Sequence, residues 1–503
     1  MADGIRLVAD CWRPTGDGRW PILLMRLPYG RSVASTPVLP HPAWFARHGY
    51  AVVIQDSRGR GDSEGQFRPF LDEARDGAET IEWAASLPFS DGQVATYGFS
   101  YQGLNQLYAA AERPEGLRAI APMMCCPDPY EGWTYYGGVP KWAFISFWAA
   151  QLAGQDLREG AIPYDLAALP MSAALGEKPP EWFKEWIQFS NGTDPYWEVR
   201  RPNLSAIEVP AFSVLGWFDE FSSGTAALVE ALDAEAICGP WAHMPWSTQA
   251  SGSELGPGVS PAVVGPRLIA FFDRVLKGIG EPPDWKIQWW SPQLGWSGAP
   301  QWPPPAARIQ EWIAKSDGNA NSRYGNGTLA TEETASPLMD LLVVQPHDPY
   351  PGEIPFLQDE SESEDRRDVI CYTSERLGAA LTIAGSPTVE VKVRADQPSI
   401  DIVATLLVVA QSGESRALTT GICRVQIAGD TTVKITLGPV GWTADRDQSI
   451  RLDLSGSRFP LFSRNPHTNC SWSSTPAADH VVATVEFLAA TLSLPVIAPS
   501  TPA

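Results

Sequence analysis

Apolar residues recur along this chain with two different periods, and the change from one to the other marks out its parts. The run from Tyr50 to Gln55 is compactly apolar and ends at Asp56-Ser57-Arg58-Gly59, which predicts a buried strand with its exit turn. Ala78, Ile81 and Ala85 then recur at helical spacing until Pro88 stops the pattern. Gln93 to Tyr97 predicts a second strand, Leu104, Leu107, Tyr108 and Ala111 a helix behind it, and Leu117 to Met124 a third strand. Strands that alternate with helices predict a mainly parallel sheet covered on both faces.

From about Pro127 to Pro202 the alternation disappears. This stretch is rich in Trp and Tyr, with helix-like pieces such as Glu181 to Trp186, and it predicts a helical insertion. The strand and helix pattern resumes at Val209 to Leu215 and runs to a helix over Arg267 to Lys277, which Gly278 terminates. Beyond Pro282-Pro283, strand-like runs such as Ile287 to Trp290, Thr388 to Val393 and Ile402 to Val409 follow one another with little helical periodicity. The expected fold is therefore α/β in two parts, 1–126 and 207–281, interrupted by a helical insertion at 127–206 and followed by an all-β domain, sandwich or jelly roll, at 282–503.

Composition narrows the function. A chain of 503 residues with 44% hydrophobic residues is long enough for two or three domains. Its net charge of −21 argues against a nucleic-acid partner, because phosphate binding needs a basic stripe. The acidic run Asp359 to Asp368 is expected to be a solvated loop. Seven scattered cysteines without C-x-x-C spacing suggest neither a disulfide framework nor a zinc site, and fit reduced thiols in the cytoplasm. No apolar run is long enough to span a bilayer, and the first residues lack the basic-then-apolar pattern of a signal peptide. Because Ile5, Leu7, Ala9 and Cys11 alternate as a strand almost at once, a short upstream piece is an open expectation.

The chemistry points to Ser100. A reactive serine needs an exposed Oγ, a base within reach and backbone N–H groups aimed at the developing oxyanion, and a sharp strand-to-helix turn supplies the first and last of these. Gly98-Phe99-Ser100-Tyr101-Gln102-Gly103 lies between the strand at Gln93 to Tyr97 and the helix marked by Leu104. Its second glycine falls one position later than in G-x-S-x-G, so the turn is a variant of that pattern.

Such hydrolases carry serine, acid and histidine in that order. Of the later histidines, His347, His467 and His480 fall in the all-β part, while His243 follows the short strand Ala236 to Cys238 and the turn Gly239 to Ala242. Asp219 follows the strand ending at Leu215 and lies 24 positions before His243 (243 − 219), so both are expected at one sheet edge. Asp219 could instead cap the helix over Thr225 to Leu232, though Ser222 or Ser223 is better placed for that, and Glu220 is the alternative acid.

Taken together, Gly98 to Gly103, Gly216-Trp217-Phe218-Asp219 and Gly239-Pro240-Trp241-Ala242-His243 resemble the CocE/NonD hydrolases, relatives of the X-Pro dipeptidyl-peptidases. Arg26-Leu27-Pro28-Tyr29, Phe271 to Gly278 and, in the β part, Tyr372 to Glu375 and Ser457 to Pro460 are also similar to that family's motifs. The resemblance spans nearly the whole chain, and the late glycine is the family's own form. It implies an α/β-hydrolase domain, a helical cap and a C-terminal jelly roll. It also implies an oxyanion hole made by the Tyr29 hydroxyl and the Tyr101 N–H, an acyl pocket lined by Phe221, and cap aromatics such as Trp142 or Trp148 beside it.

The expected activity is hydrolysis of a small-molecule ester, or of an amide, by Ser100, His243 and Asp219 through an acyl-enzyme, without metal or organic cofactor. No membrane partner is expected, and the oligomeric state is open, with a homodimer among the options. Dipeptidyl-peptidase or α-amino-acid ester hydrolase activity is the alternative. It needs acidic residues for a free ammonium, and the positions that carry them in the amino-acid ester hydrolases are here Phe221 and Ser222. A non-catalytic binding protein is the reading from another class, and an intact Ser, Asp and His set argues against it.

Overall fold

The computed structural model describes residues 1–32, 38–157, 161–244, 246–250, 253–331, 338–352 and 358–498. Its first part is a parallel sheet whose strands β1 (Ala9–Trp12), β2 (Trp20–Leu27), β3 (Ala51–Asp56), β4 (Ser90–Phe99) and β5 (Leu117–Met123) lie in the order β1-β3-β2-β4-β5. The helices α1 (Pro42–Arg47), α2 (Glu73–Ala85) and α3 (Tyr101–Ala111) connect them. Every residue of β3 is buried, as a strand covered by helices on both faces requires. β1 alone in this group runs antiparallel, along β3.

Next come a small hairpin, β6 (Tyr135–Tyr136) and β7 (Val139–Pro140), and the cap helices α4 (Trp142–Leu157), α5 (Glu181–Gln188) and α6 (Pro195–Glu198). The sheet resumes with β8 (Phe212–Phe218), α7 (Ser222–Ala231) and β9 (Glu235–Ala242). Backbone bonds from Ile120 N to Pro210 O (3.1 Å) and Met124 N to Val214 O (2.9 Å) carry it across from β5 to β8. A short ribbon, β10 (Gln249–Ala250) with β11 (Ser253–Glu254), leads to α8 (Val264–Lys277). Leu268, Phe271, Phe272 and Leu276 form the buried stripe of α8, and Gly278 ends it with a left-handed φ of 65°.

The strands β12 (Ile287–Ser291) and β13 (Gly295–Ala299) follow next. Ile287, Gln288 and Trp289 pair in parallel with Ala236, Ile237 and Cys238, so this hairpin extends the sheet of the first part rather than the all-β part. A short apolar strand followed by a turn has the same sequence signal in either sheet; only its partner distinguishes them.

The remainder is strand-rich and antiparallel. In the strand Thr388–Ala395, Val389, Val391 and Val393 are buried and Glu390, Lys392 and Arg394 are exposed, the alternation of a sheet wet on one side. The strand Ser399–Val409 is buried throughout: Ile400, Ile402, Ala404, Leu406 and Val408 belong to the large core cluster, and Val403 packs in another with Val139 of the cap and with Leu461 and Phe462. Tyr136 Oη donates to Thr436 O at 2.9 Å across the same junction. The run Asp359 to Asp368 is not simply a solvated loop. Glu364 is fully buried, accepts from Ser415 Oγ at 2.6 Å and pairs with Arg451, and Glu360 meets Arg458 at 2.6 Å. These arginines supply the compensation that buried carboxylates need.

Candidate active site

Ser100 stands between the last residue of β4 and the first of α3, with φ 61° and ψ −132°. A non-glycine residue there costs ~1–3 kcal/mol, and the surroundings hold it in place. Ser100 N donates to Met123 O at 3.0 Å, which pins the turn to β5. The two glycines have separate reasons. Gly98 has φ 150°, and a Cβ on it would stand 2.6 Å from Gln102 Cβ. A Cβ on Gly103 would stand 2.9 Å from Cys125 Sγ and 3.0 Å from Met123 O, so the late glycine is where α3 passes closest to the end of β5.

Asp219 and His243 leave the ends of β8 and β9, which are neighbouring parallel strands. Their side chains therefore emerge together at the edge that also carries Ser100. His243 Nδ1 is 2.8 Å from Asp219 Oδ1. Asp219 does not cap α7: the N-cap position is Phe221, without a side-chain bond. Trp246 Nε1 donates to His243 O at 3.1 Å and steadies the loop. Burial alone would lower the imidazole's pKa, but the charge and hydrogen bond of Asp219, with the charge of Glu220, outweigh it and raise it above 6.5.

Tyr29 lies two residues past β2, and its hydroxyl accepts from Trp148 Nε1 at 2.9 Å, while the residue lines the same pocket as Ser100. Burial pushes the phenol up to about 12, so it stays protonated and able to donate at neutral pH. Tyr101 is the first residue of α3, where a backbone N–H has no intrahelical acceptor and the helix dipole favours negative charge. Its own hydroxyl turns away, to Glu73 Oε1 at 3.0 Å.

Ser100, His243, Tyr29 and Trp148 share one pocket of about 410 Å³. Phe144, Phe147, Trp148 and Gln151 line it from α4, at the i, i+3, i+4, i+7 spacing of one helix face. That spacing is the signal by which Phe144 and Phe147, absent from the sequence reading, could have been found. Phe221 stands behind the pocket wall, its ring 4.9 Å from Trp133 and 5.2 Å from His243. Trp142 is not in the pocket. It is fully buried on another side of α4, donates from Nε1 to Leu166 O at 3.0 Å and meets Trp472 at 5.7 Å.

Two further residues belong to the site's surroundings. Glu220 lines the pocket beside His243. Lys141, buried at the start of the cap helix, donates from Nζ to Gly132 O at 2.8 Å and to Glu220 O at 2.9 Å, and lies 4.2 Å from the centre of the Phe221 ring. Burial pushes Glu220 up and Lys141 down from their ordinary values. Among the described residues, no set of three or more His, Cys, Asp or Glu side chains is placed to hold a metal ion.

Known proteins share this organisation. The model of the X-Pro dipeptidyl-peptidase (S15 family) matches residues 3–245, and that of the X-Pro dipeptidyl-peptidase C-terminal non-catalytic domain matches residues 277–485. The cocaine esterase of Rhodococcus sp. (strain MB1 Bresler) is 30% identical and covers 93% of this chain and 91% of its own. Among solved structures, an aminopeptidase from the marine sediment archaeon Thaumarchaeota archaeon superposes with a TM-score of 0.86 at 20% identity, over 99% of this chain and 95% of its own. A CocE/NonD family hydrolase from Staphylococcus aureus gives 0.75 at 17% identity, over 99% and 92%. At such identities the two structural likenesses speak for the fold.

Proposed function

The chain belongs to the CocE/NonD family of serine hydrolases, and from that premise we propose that it cleaves carboxylic esters by acyl transfer at Ser100. The observation that carries the assignment is the 2.8 Å contact of His243 Nδ1 with Asp219 Oδ1 in the wall of the pocket that also holds Ser100 and Tyr29.

The steps follow from the geometry. With Nδ1 committed to Asp219, the imidazole has Nε2 left to take the Ser100 proton. Ser100 Oγ attacks the ester carbonyl, and the carbonyl electrons move to oxygen, where the Tyr29 hydroxyl and the Tyr101 N–H receive the charge. The imidazolium returns its proton to the leaving alcohol as the C–O bond breaks, and an acyl-serine remains. Water, deprotonated by His243, then repeats the sequence and releases the acid and Ser100. Phe144, Phe147 and Trp148 offer apolar and aromatic surface to one side of the ester.

Among the described residues no helix is long and apolar enough to cross a membrane. The seven free thiols support a reducing compartment such as the cytoplasm.

The test is turnover of p-nitrophenyl acyl esters beside Ala-Pro p-nitroanilide. The expected result is ester turnover that falls at least ~10³-fold in both Ser100→Ala and His243→Ala. Efficient release from Ala-Pro p-nitroanilide with little ester turnover would favour the dipeptidyl-peptidase reading instead.

A further inference from the structure

Four residues after β3, a buried guanidinium reaches two separate elements of the site. Arg60 is 4% exposed. Its Nε donates to Pro28 O, the carbonyl next to Tyr29, at 2.9 Å. Its Nη2 donates to Leu152 O at 3.2 Å and to Gln155 Oε1 at 2.8 Å, both on α4. Gln155 completes the circuit, with Nε2 donating to Tyr29 O at 3.5 Å. The planar fork suits this double duty, because its N–H groups leave in fixed and different directions. A lysine ammonium on its flexible stem offers no such geometry.

The contacts converge on Tyr29 from both sides. Beyond it, Arg31 N donates to Asp56 Oδ1 at 2.6 Å and Arg31 Nη1 to Asp56 Oδ2 at 2.5 Å, which fastens the segment to the end of β3. Ahead of it, Arg60 holds the Pro28 carbonyl. On the cap side, Trp148, Leu152 and Gln155 stand at i, i+4 and i+7 of α4, one face of the helix, and each bonds either this segment or Arg60. A buried cation is costly to keep, and these bonds place it where the oxyanion loop joins the cap. An oxyanion donor stabilises charge only where it is already aimed, so whatever fixes the Tyr29 main chain fixes the donor.

Building on the ester-hydrolase reading, we infer that Arg60 is a positioning residue for the oxyanion hole. It ties the Pro28–Tyr29 peptide to α4, and the Tyr29 hydroxyl thereby stands where the carbonyl oxygen of a pocket-bound ester becomes charged. Arg60 is not among the described residues that line the pocket, so it acts through Tyr29 rather than on the ester itself.

A double-mutant cycle on a p-nitrophenyl acyl ester tests this. Arg60→Met is expected to lower kcat about ten- to hundredfold with far less change in KM. In the Tyr29→Phe background the same substitution has almost no further effect, because the hydroxyl that Arg60 places is already gone. A residue that only supports the fold acts whether or not that hydroxyl is present. An unchanged kcat in Arg60→Met, or losses that multiply in the double variant, would therefore overturn the inference. Gln155→Leu is the second variant, which decides the matter should Arg60→Met not fold. It removes the cap end of the link alone, and its loss of kcat is likewise expected to vanish beside Tyr29→Phe. Absence of Ser100-dependent turnover in the unaltered protein would remove the hydrolase reading and this inference with it. Ser100-dependent turnover with multiplying losses removes this inference alone.

Discussion

Lys141, on the cap, donates a hydrogen bond to the backbone carbonyl of Glu220 at 2.9 Å, so the loop that carries Asp219 is tied to the element that roofs the pocket. The same ammonium bonds Gly132 O at 2.8 Å. It also lies among the charges that act on His243, where Asp219 and Glu220 raise the imidazole's pKa and Lys141 lowers it.

Lys141→Met removes both the tie and the cation. With the lowering influence gone, His243 holds its proton to higher pH, so the acid limb of the kcat/KM profile moves upward. Loss of the anchor costs about tenfold in kcat through misplacement of the acid. A pH–rate profile checks this, and a limb displaced to lower pH would contradict it.

The unaltered protein has its own pH signature. In the proposed mechanism His243 must be neutral to accept the serine proton, and its pKa lies above 6.5 because Asp219 and Glu220 overcome the lowering by burial. Activity on neutral esters therefore rises through a midpoint above the ordinary histidine value. In Asp219→Asn the charge that raised it is gone, so the midpoint falls while kcat drops by ~10⁴. An unchanged midpoint in that variant would exclude Asp219 as the source of the shift.

Tyr29→Phe deletes one oxyanion donor and should lower kcat by ~10²–10³ with a much smaller change in KM. It also strands Trp148 Nε1, which now donates to the Tyr29 hydroxyl at 2.9 Å. That orphan costs ~1–3 kcal/mol, visible as a lower thermal midpoint. Full activity in this variant would take Tyr29 out of the mechanism.

Much of the candidate site was legible because each residue of the proposed triad follows an apolar strand. Ser100, Asp219 and His243 follow β4, β8 and β9, and parallel strands deliver their ends to one edge. Position around α4 was not legible in the same way. Trp142 and Trp148 are six residues apart, about 240° around a helix with 3.6 residues per turn, so they face different ways. The helix is apolar nearly all round, and only the partners of each tryptophan show that Trp148 meets Tyr29 and Trp142 meets Trp472. Lys141 gave no sign either, since a lysine before an aromatic run usually lies on the surface. The pairing of β12 was not legible either: it looks like any short buried strand until its register with β9 is seen.

The late glycine of the serine turn gives a stability prediction. Gly103→Ala places a methyl 2.9 Å from Cys125 Sγ and 3.0 Å from Met123 O, one of which is backbone and cannot give way. A loss of ~1–3 kcal/mol is expected in denaturant unfolding. Activity falls with it, because the turn that aims Ser100 shifts. An alanine variant of native stability would show that α3 and β5 have more room than this contact allows.

The most direct test of the account is covalent. The unaltered protein is treated with a fluorophosphonate probe, digested and read by mass spectrometry. One adduct is predicted, on the peptide that contains Ser100, and it disappears in Ser100→Ala. An adduct on another residue, or undiminished labelling of Ser100→Ala, would contradict the assignment of Ser100 as the nucleophile.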